Sequence, residues 1–182
     1  PPEHNRLRGM VAKAFTMKSI WDLEPKILEI AGELLDAVRG SGRIDLAQDL
    51  AIPLPVITIA EILGIPRRDR ERFKRWSDAV AENIGQQDRS RVLESRKEFA
   101  DYLRGIMAER RQHPKSDLIS SLVVLTEAEG QPLTEAGLIS LCNLLLVAGN
   151  ETTTNLIGSG TNALLLHPEE LARAREGQVG VP

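Results

Sequence analysis

Apolar side chains recur along most of this chain at spacings of three and four, the pattern of helices with one buried face. Ile20, Leu23, Ile27, Ile30, Leu34, Leu35 and Val38 form one such stripe, which predicts a helix stopped by Gly40-Ser41-Gly42. Arg43-Ile44-Asp45-Leu46 fits a short strand, though four residues decide little. From Leu46 to Leu63 the chain is apolar on most sides, but Pro53 and Pro55 forbid a regular helix across it. A helix is expected there from near Pro55 to Gly64. Residues 67–112 read as two amphipathic helices, separated near Gly85 to Asp88, with Phe73, Trp76 and Val80 on one apolar stripe. A short helix over 117–125 and a loop over 127–132 lead to the longest element. It opens at Thr134, a suitable N-cap, and runs to Leu166, where His167-Pro168 ends it. About 33 residues at 1.5 Å each span roughly 50 Å. Such a helix, apolar on most faces, must cross the middle of a larger body.

Composition narrows the class. Of 182 residues, 42% are apolar and 27% charged, which suits a globular domain and excludes collagen-like and disordered chains. Aromatics are only 3%, so the core must rest on Leu, Ile, Val and Ala. The most apolar run, Leu138 to Gly149, is well short of the roughly 20 residues a membrane span requires, and it reads as a buried helix of a soluble protein. A single cysteine, Cys142, rules out an internal disulfide framework or a Cys-based zinc site and fits a reducing cytoplasm. The net charge of −3 argues against a dedicated nucleic-acid binder. Residues 67–112 nevertheless hold 13 of the 23 Lys and Arg residues. Asp and Glu are interleaved among them, so a solvated helix face is preferred to a phosphate-binding one. No initiator Met and no basic-then-apolar leader opens the chain.

The centre of the long helix carries the chemistry. Ala148-Gly149-Asn150-Glu151-Thr152-Thr153-Thr154-Asn155 is a poor helix design, because Gly costs about 1 kcal/mol relative to Ala and Thr adds smaller penalties. A carboxylate in a core also costs several kcal/mol unless it is paired or protonated. Two readings follow. Small residues, an acid and a hydroxyl suit a helix opened beside a pocket, where the hydroxyl displaces a backbone bond and the acid exchanges protons. A kinked core helix with an exposed Glu satisfies the same pattern.

This stretch closely resembles the distal oxygen-activating helix of the cytochrome P-450 monooxygenases. Leu144-Leu145-Leu146-Val147-Ala148-Gly149-Asn150-Glu151-Thr152-Thr153 fits the family's Ala/Gly-Gly-x-Asp/Glu-Thr pattern, and Leu164-Leu165-Leu166-His167-Pro168-Glu169 follows as in the family. Pro1-Pro2-Glu3-His4-Asn5-Arg6-Leu7-Arg8, with Lys13-Ala14-Phe15-Thr16, looks like the haem-flanking helix of soluble bacterial members. Leu50-Ala51-Ile52-Pro53-Leu54-Pro55-Val56-Ile57 and Ile62-Leu63-Gly64-Ile65-Pro66 match a third characteristic stretch, in the correct order.

The resemblance implies a mainly α fold, the middle portion of the cytochrome P-450 fold, with minor β. It would hold a haem-flanking helix at 3–15, a helical lid at 67–112 and the oxygen-activating helix at 134–166. The cofactor implied is haem b (iron protoporphyrin IX). His4 and Arg8, four residues apart, match the side chains that reach its propionates; a solvent-facing pair is what spacing alone would suggest. Ala148 and Gly149 match the small positions that leave room for dioxygen. Glu151 matches the acid that relays protons from solvent, and Thr152 the alcohol that hydrogen-bonds the bound oxygen. Thr153 and Thr154 fit structural roles. The activity implied is insertion of one oxygen atom of O₂ into a small, mostly apolar organic substrate. A ferredoxin-type donor and an NAD(P)H-dependent reductase would supply electrons, with neither membrane nor nucleic acid involved.

The departures matter equally. The family's Glu-x-x-Arg helix and its Phe-x-x-Gly-x-x-x-Cys-x-Gly loop are missing, and Cys142 sits on the distal helix, where a core cysteine is expected. No metal ligand is therefore assigned. The tail Glu176-Gly177-Gln178-Val179-Gly180-Val181-Pro182 no longer resembles the family, which points to an internal fragment. Competing readings are a catalytically inactive truncated polypeptide and a helical small-ligand-binding module.

Overall fold

The computed structural model describes residues 8, 9, 12, 15, 17–81, 89–128 and 134–177, and among these every regular element is helical. The elements are α1 (Met17–Trp21), α2 (Glu24–Arg39), a π-helix (Leu46–Ala51), α3 (Pro53–Leu63), a 3₁₀ turn (Arg67–Asp69), α4 (Arg70–Ala81), α5 (Arg89–Gln112), α6 (Leu118–Ala128), α7 (Glu135–Leu166) and α8 (Pro168–Arg175). The mainly α expectation holds.

Three local readings are corrected. The stripe from Ile20 to Val38 spans two helices, with α1 ending at Trp21 and Pro25 lying in the first turn of α2. The strand expected at 43–46 is not formed. Asp45 instead caps the next turn, its Oδ1 accepting from the Ala47 and Gln48 amides at 3.1 Å each. Asp49 Oδ2 accepts in return from the Asp45 amide at 2.8 Å, so both carboxylates serve helix initiation. The next helix also starts earlier than Pro55. Pro53 and Pro55 have no N–H to offer the carbonyls of Asp49 and Ala51, four residues before them. The chain widens there into the π-helix, in which the Ile52 amide donates to the Ala47 carbonyl at 3.0 Å, and α3 begins at Pro53.

The core forms around α3. Val56, Ala60 and Leu63 are almost fully buried and belong to one cluster with Phe73 and Trp76 of α4, Phe99 and Leu103 of α5, Ile119 of α6, and Leu138 and Leu146 of α7. Each large side chain of this kind contributes about 1.5–3 kcal/mol by leaving water. The few aromatics are concentrated rather than scattered. Phe73 meets Phe99 edge-on at 5.7 Å, and Trp76 lies 5.4 Å from Phe99. Leu46–Leu63 is apolar enough by composition to be a membrane candidate, but it is two helices, and α3 buries Val56, Ile59, Ala60 and Leu63 in this core.

The cationic run at 67–72 spends its charge on the protein itself. Arg67 pairs with Glu29 and Glu33 of α2, and Arg70 with Glu33 and Glu61. Arg67 holds the Glu29 carboxyl below the usual range by hydrogen bond and charge. Arg72 stacks over Trp76 at 5.0 Å. This is the solvated, self-paired face favoured by the interleaved charges.

Gly105 lies on the exposed side of α5, and nothing stands within 4 Å of where a Cβ would sit. Gly105→Ala should therefore stabilise the fold by about 1 kcal/mol, through helix propensity alone. The urea midpoint should rise with an unchanged slope; a fall would mean that the position is packed.

Candidate functional site

Thr134 begins α7 as its spacing predicts. It is extended at φ −63° and ψ 152°, and its hydroxyl accepts from the Gly137 amide at 3.1 Å. His167, at φ −125° and ψ 81° ahead of Pro168, leaves helical geometry and ends the helix. Between them the helix is unbroken for 32 residues. The opening expected between Ala148 and Thr152 is not present. The Thr152 hydroxyl donates to the Ala148 carbonyl at 2.7 Å within a continuing helix. It adds a bond to that acceptor's second lone pair rather than parting the turn.

Helical spacing then sorts the central residues onto two faces. Leu138, Cys142 and Leu146 lead the inner face into the core, and Gly149, Asn150, Thr153 and Thr154 continue it half-buried. A Cβ on Gly149 would stand 3.0 Å from Ile59 Cδ1, so the missing side chain lets α7 lie close on α3. Gly149 thus faces the neighbouring helix, about 100° around from Ala148. Thr154 Oγ1 donates to the Ala51 carbonyl at 2.9 Å, and Asn150 Nδ2 reaches Ser77 Oγ on α4 at 3.5 Å.

The outer face is different in kind. Leu144, Val147, Ala148, Glu151, Thr152 and Asn155 recur along it and all are exposed; Leu144 is 62% and Val147 45% accessible, and neighbouring Leu156 reaches 71%. An apolar shelf with a methyl-sized step at Ala148 and an acid–alcohol pair beside it is open along one side of the longest helix. Large apolar side chains at such exposure call for a ligand or more protein against them.

Of the predicted site residues, α7 therefore brings Ala148, Glu151 and Thr152 onto one open face and turns Gly149 away. Arg8 is helical and exposed. His4 lies outside the described residues, so the expected pairing of His4 and Arg8 on the Thr152 side has no geometry here. Cys142 is fully buried on the inner face, and burial pushes its thiol up to about 12, which makes it an inert core residue. A cavity of about 360 Å³ lies elsewhere, between Lys26 of α2, Glu61 and Ile62 of α3 and Asp117 and Leu118 at the start of α6. None of Ala148, Glu151 and Thr152 borders it.

Sequence reasoning missed two polar anchors. The Ala51–Thr154 bond was signalled by Pro55, which leaves the Ala51 carbonyl without an amide four residues on. The buried Arg110–Asp117 pair had no sequence signal beyond Gly64 at a helix end.

No family model matches the chain. It is 42% identical over 183 aligned positions to Cytochrome P450 CYP107DY1 of Priestia megaterium, covering 100% of this chain and 44% of that protein. It is 44% identical over 177 positions to a cytochrome P450 of Bacillus subtilis, covering 97% of this chain and 43% of that one. Among solved structures it superposes on cytochrome P450 CYP109Q5 from Chondromyces apiculatus with a TM-score of 0.86 at 43% identity, over 97% of this chain and 43% of that one. CYP109E1 from Bacillus megaterium, in complex with testosterone, gives a TM-score of 0.87 at 38% identity, over 98% of this chain and 48% of that one. The chain spans less than half the length of these relatives.

Proposed function

The chain belongs to the cytochrome P450 family, and from that premise we propose that the protein carrying it is a haem-dependent monooxygenase acting on a small, mostly apolar organic molecule. One observation carries the reading: the outer face of α7 exposes an apolar shelf, a small residue and an acid–alcohol pair side by side.

These residues fit a flat, largely apolar macrocycle with carboxylates at its edge. Leu144, Val147 and Leu156 offer the apolar surface and Ala148 leaves a recess; by the family resemblance, Arg8 and His4 would supply donors for the carboxylates. When bound, the haem supplies the oxidising chemistry. The polypeptide's part is to exclude water and to hold and move protons. Glu151, exposed at the edge of the shelf, exchanges protons with solvent. The Thr152 hydroxyl has one proton to give and two lone pairs to accept with. At rest its proton is held by the Ala148 carbonyl. Rotation about χ1 releases that proton toward the recess while Oγ1 accepts another from the Glu151 side. A hydroxyl that turns in this way beside an acid would act as a proton relay.

Electrons would come from a ferredoxin-type donor and its NAD(P)H-dependent reductase, in the cytoplasm, with O₂ as co-substrate. An apolar substrate agrees with the leucine and valine wall and with the testosterone held by the solved relative. Cys142 is turned into the core and its thiol is held protonated by burial, so it would not serve as the thiolate that holds the haem. The polypeptide by itself is then the catalytically silent alternative: reduced and treated with CO, it should lack the Soret band of a thiolate-ligated haem.

Glu151→Gln in the full-length enzyme tests the relay. Turnover should fall about tenfold, less than the full value of a positioned acid because water reaches this position. The solvent isotope effect should grow. Unchanged turnover and an unchanged isotope effect would remove Glu151 from the path.

A further inference from the structure

Thr154 breaks the habit of threonine in helices. A helical hydroxyl ordinarily donates to the carbonyl four residues back, as Thr152 does to Ala148. Thr154 Oγ1 donates across to another element, to the Ala51 carbonyl at 2.9 Å, at the end of the π-helix. That carbonyl is free to receive it, because the residue four positions on is Pro55. Thr154 Oγ1 also lies 3.3 Å from Asn150 Oδ1, and Asn150 Nδ2 reaches the buried Ser77 of α4 at 3.5 Å. A hydroxyl has one proton, and the shorter contact takes it. Thr154 is thereby tied to the Ala51 carbonyl, while Asn150 reaches Ser77 of α4 on its own, so two separate polar contacts hold the inner face of α7.

These contacts lie on the face opposite the open shelf, in the same turns that carry Glu151 and Thr152. Elsewhere on its inner face α7 is held by apolar contacts such as Gly149 on Ile59, which are tolerant of small rotations. A hydrogen bond to a fixed carbonyl is directional and is lost on rotation.

We propose that Thr154, bonded to the carbonyl that Pro55 leaves unpaired, is a positioning residue that sets the rotation of the central turn and so aims Glu151 and Thr152 into the pocket. It rests on the proton-relay reading above. Thr154 touches none of the reacting groups; it acts through Thr152.

The test uses the full-length haem protein with three substitutions. Thr154→Val keeps the shape and removes the donor, Thr154→Ser restores the donor, and Thr152→Ala reports whether the relay exists. Two readouts are taken: amide hydrogen exchange over 148–156, and hydrogen peroxide formed per NAD(P)H consumed. Thr154→Val should accelerate exchange in that segment about tenfold, the scale of one lost hydrogen bond, and raise peroxide several-fold, and Thr154→Ser should reverse both. Unchanged exchange, or faster exchange with unchanged peroxide, overturns the inference, the latter leaving a purely structural bond. If Thr152→Ala uncouples and Thr154→Val does not, only this inference falls. If Thr152→Ala stays coupled, the relay reading falls and takes this one with it.

Discussion

Thr152→Ala in the full-length enzyme should leave haem binding nearly intact and send most reducing equivalents to hydrogen peroxide. Thr152 faces the open side of α7, and its hydroxyl makes the optional bond to the Ala148 carbonyl. That carbonyl lies in an unbroken helix, so losing the hydroxyl removes a second donor rather than the backbone bond. Folding should hardly register the change. Proton delivery should register it strongly, because a positioned donor used in the transition state contributes on the order of 3 kcal/mol. That is roughly a hundredfold in rate. The expected result is a hundredfold fall in product per NAD(P)H, with peroxide making up the balance. Tight coupling in the variant would remove Thr152 from the proton path.

The largest effect on stability is expected at Asp117. Arg110 is 1% accessible, and its Nε donates to Asp117 Oδ2 at 2.6 Å while its Nη2 donates to the Gly64 carbonyl at 2.9 Å. Asp117 Oδ1 accepts in addition from the Ser120 amide at 2.7 Å, capping α6. The pair thus joins the end of α5, the start of α6 and, through Arg110 Nη2, the turn after α3. Burial alone would lower the Arg110 pKa, and the Asp117 carboxylate together with Glu109 more than offsets it, so the guanidinium stays charged. Asp117→Ala would leave that buried charge with only the part-exposed Glu109 carboxylate, 2.9 Å from Nη1, and would uncap α6 as well. The expected loss is about 3–5 kcal/mol, the scale for breaking a buried pair from one side. Arg110→Met combined with Asp117→Leu should be less damaging than Asp117→Ala, because no charge is left buried. Urea unfolding of all three proteins decides it. A single-variant loss near 1 kcal/mol would make the pair an ordinary surface contact. Gly64 belongs to the same anchor: it is left-handed at φ +75°, and a Cβ there would collide with the Asp117 carboxylate.

Strong local signals made some of this legible in sequence. Thr134 and His167-Pro168 bracket α7 because a cap and a proline act within a few residues of themselves. Ala148, Glu151 and Thr152 share a face because three and four residues bring side chains into line. Proline's reach was underestimated. Pro53 and Pro55 withdraw two amides, and the carbonyls left behind produced a π-helix upstream and an anchor for Thr154 more than a hundred residues away. Asp45 looked like a strand residue between Ile44 and Leu46, yet its carboxylate was worth more as a cap. Gly149 read as a cofactor-side residue from its place in a motif, whereas its contact with Ile59 depends on where α3 lies. Arg110 and Asp117 are seven apart across a turn, and no periodicity predicts that they meet.

The central claim is that the open face of α7 is the oxygen side of a haem pocket. A crystal structure of the full-length haem protein measures this directly, through what covers Leu144, Ala148 and Thr152. The account predicts Ala148 in van der Waals contact with the macrocycle or the space above it, with the Thr152 hydroxyl facing the same space. Polypeptide packed over Leu144, Ala148 and Thr152, with the haem against another face, would contradict it.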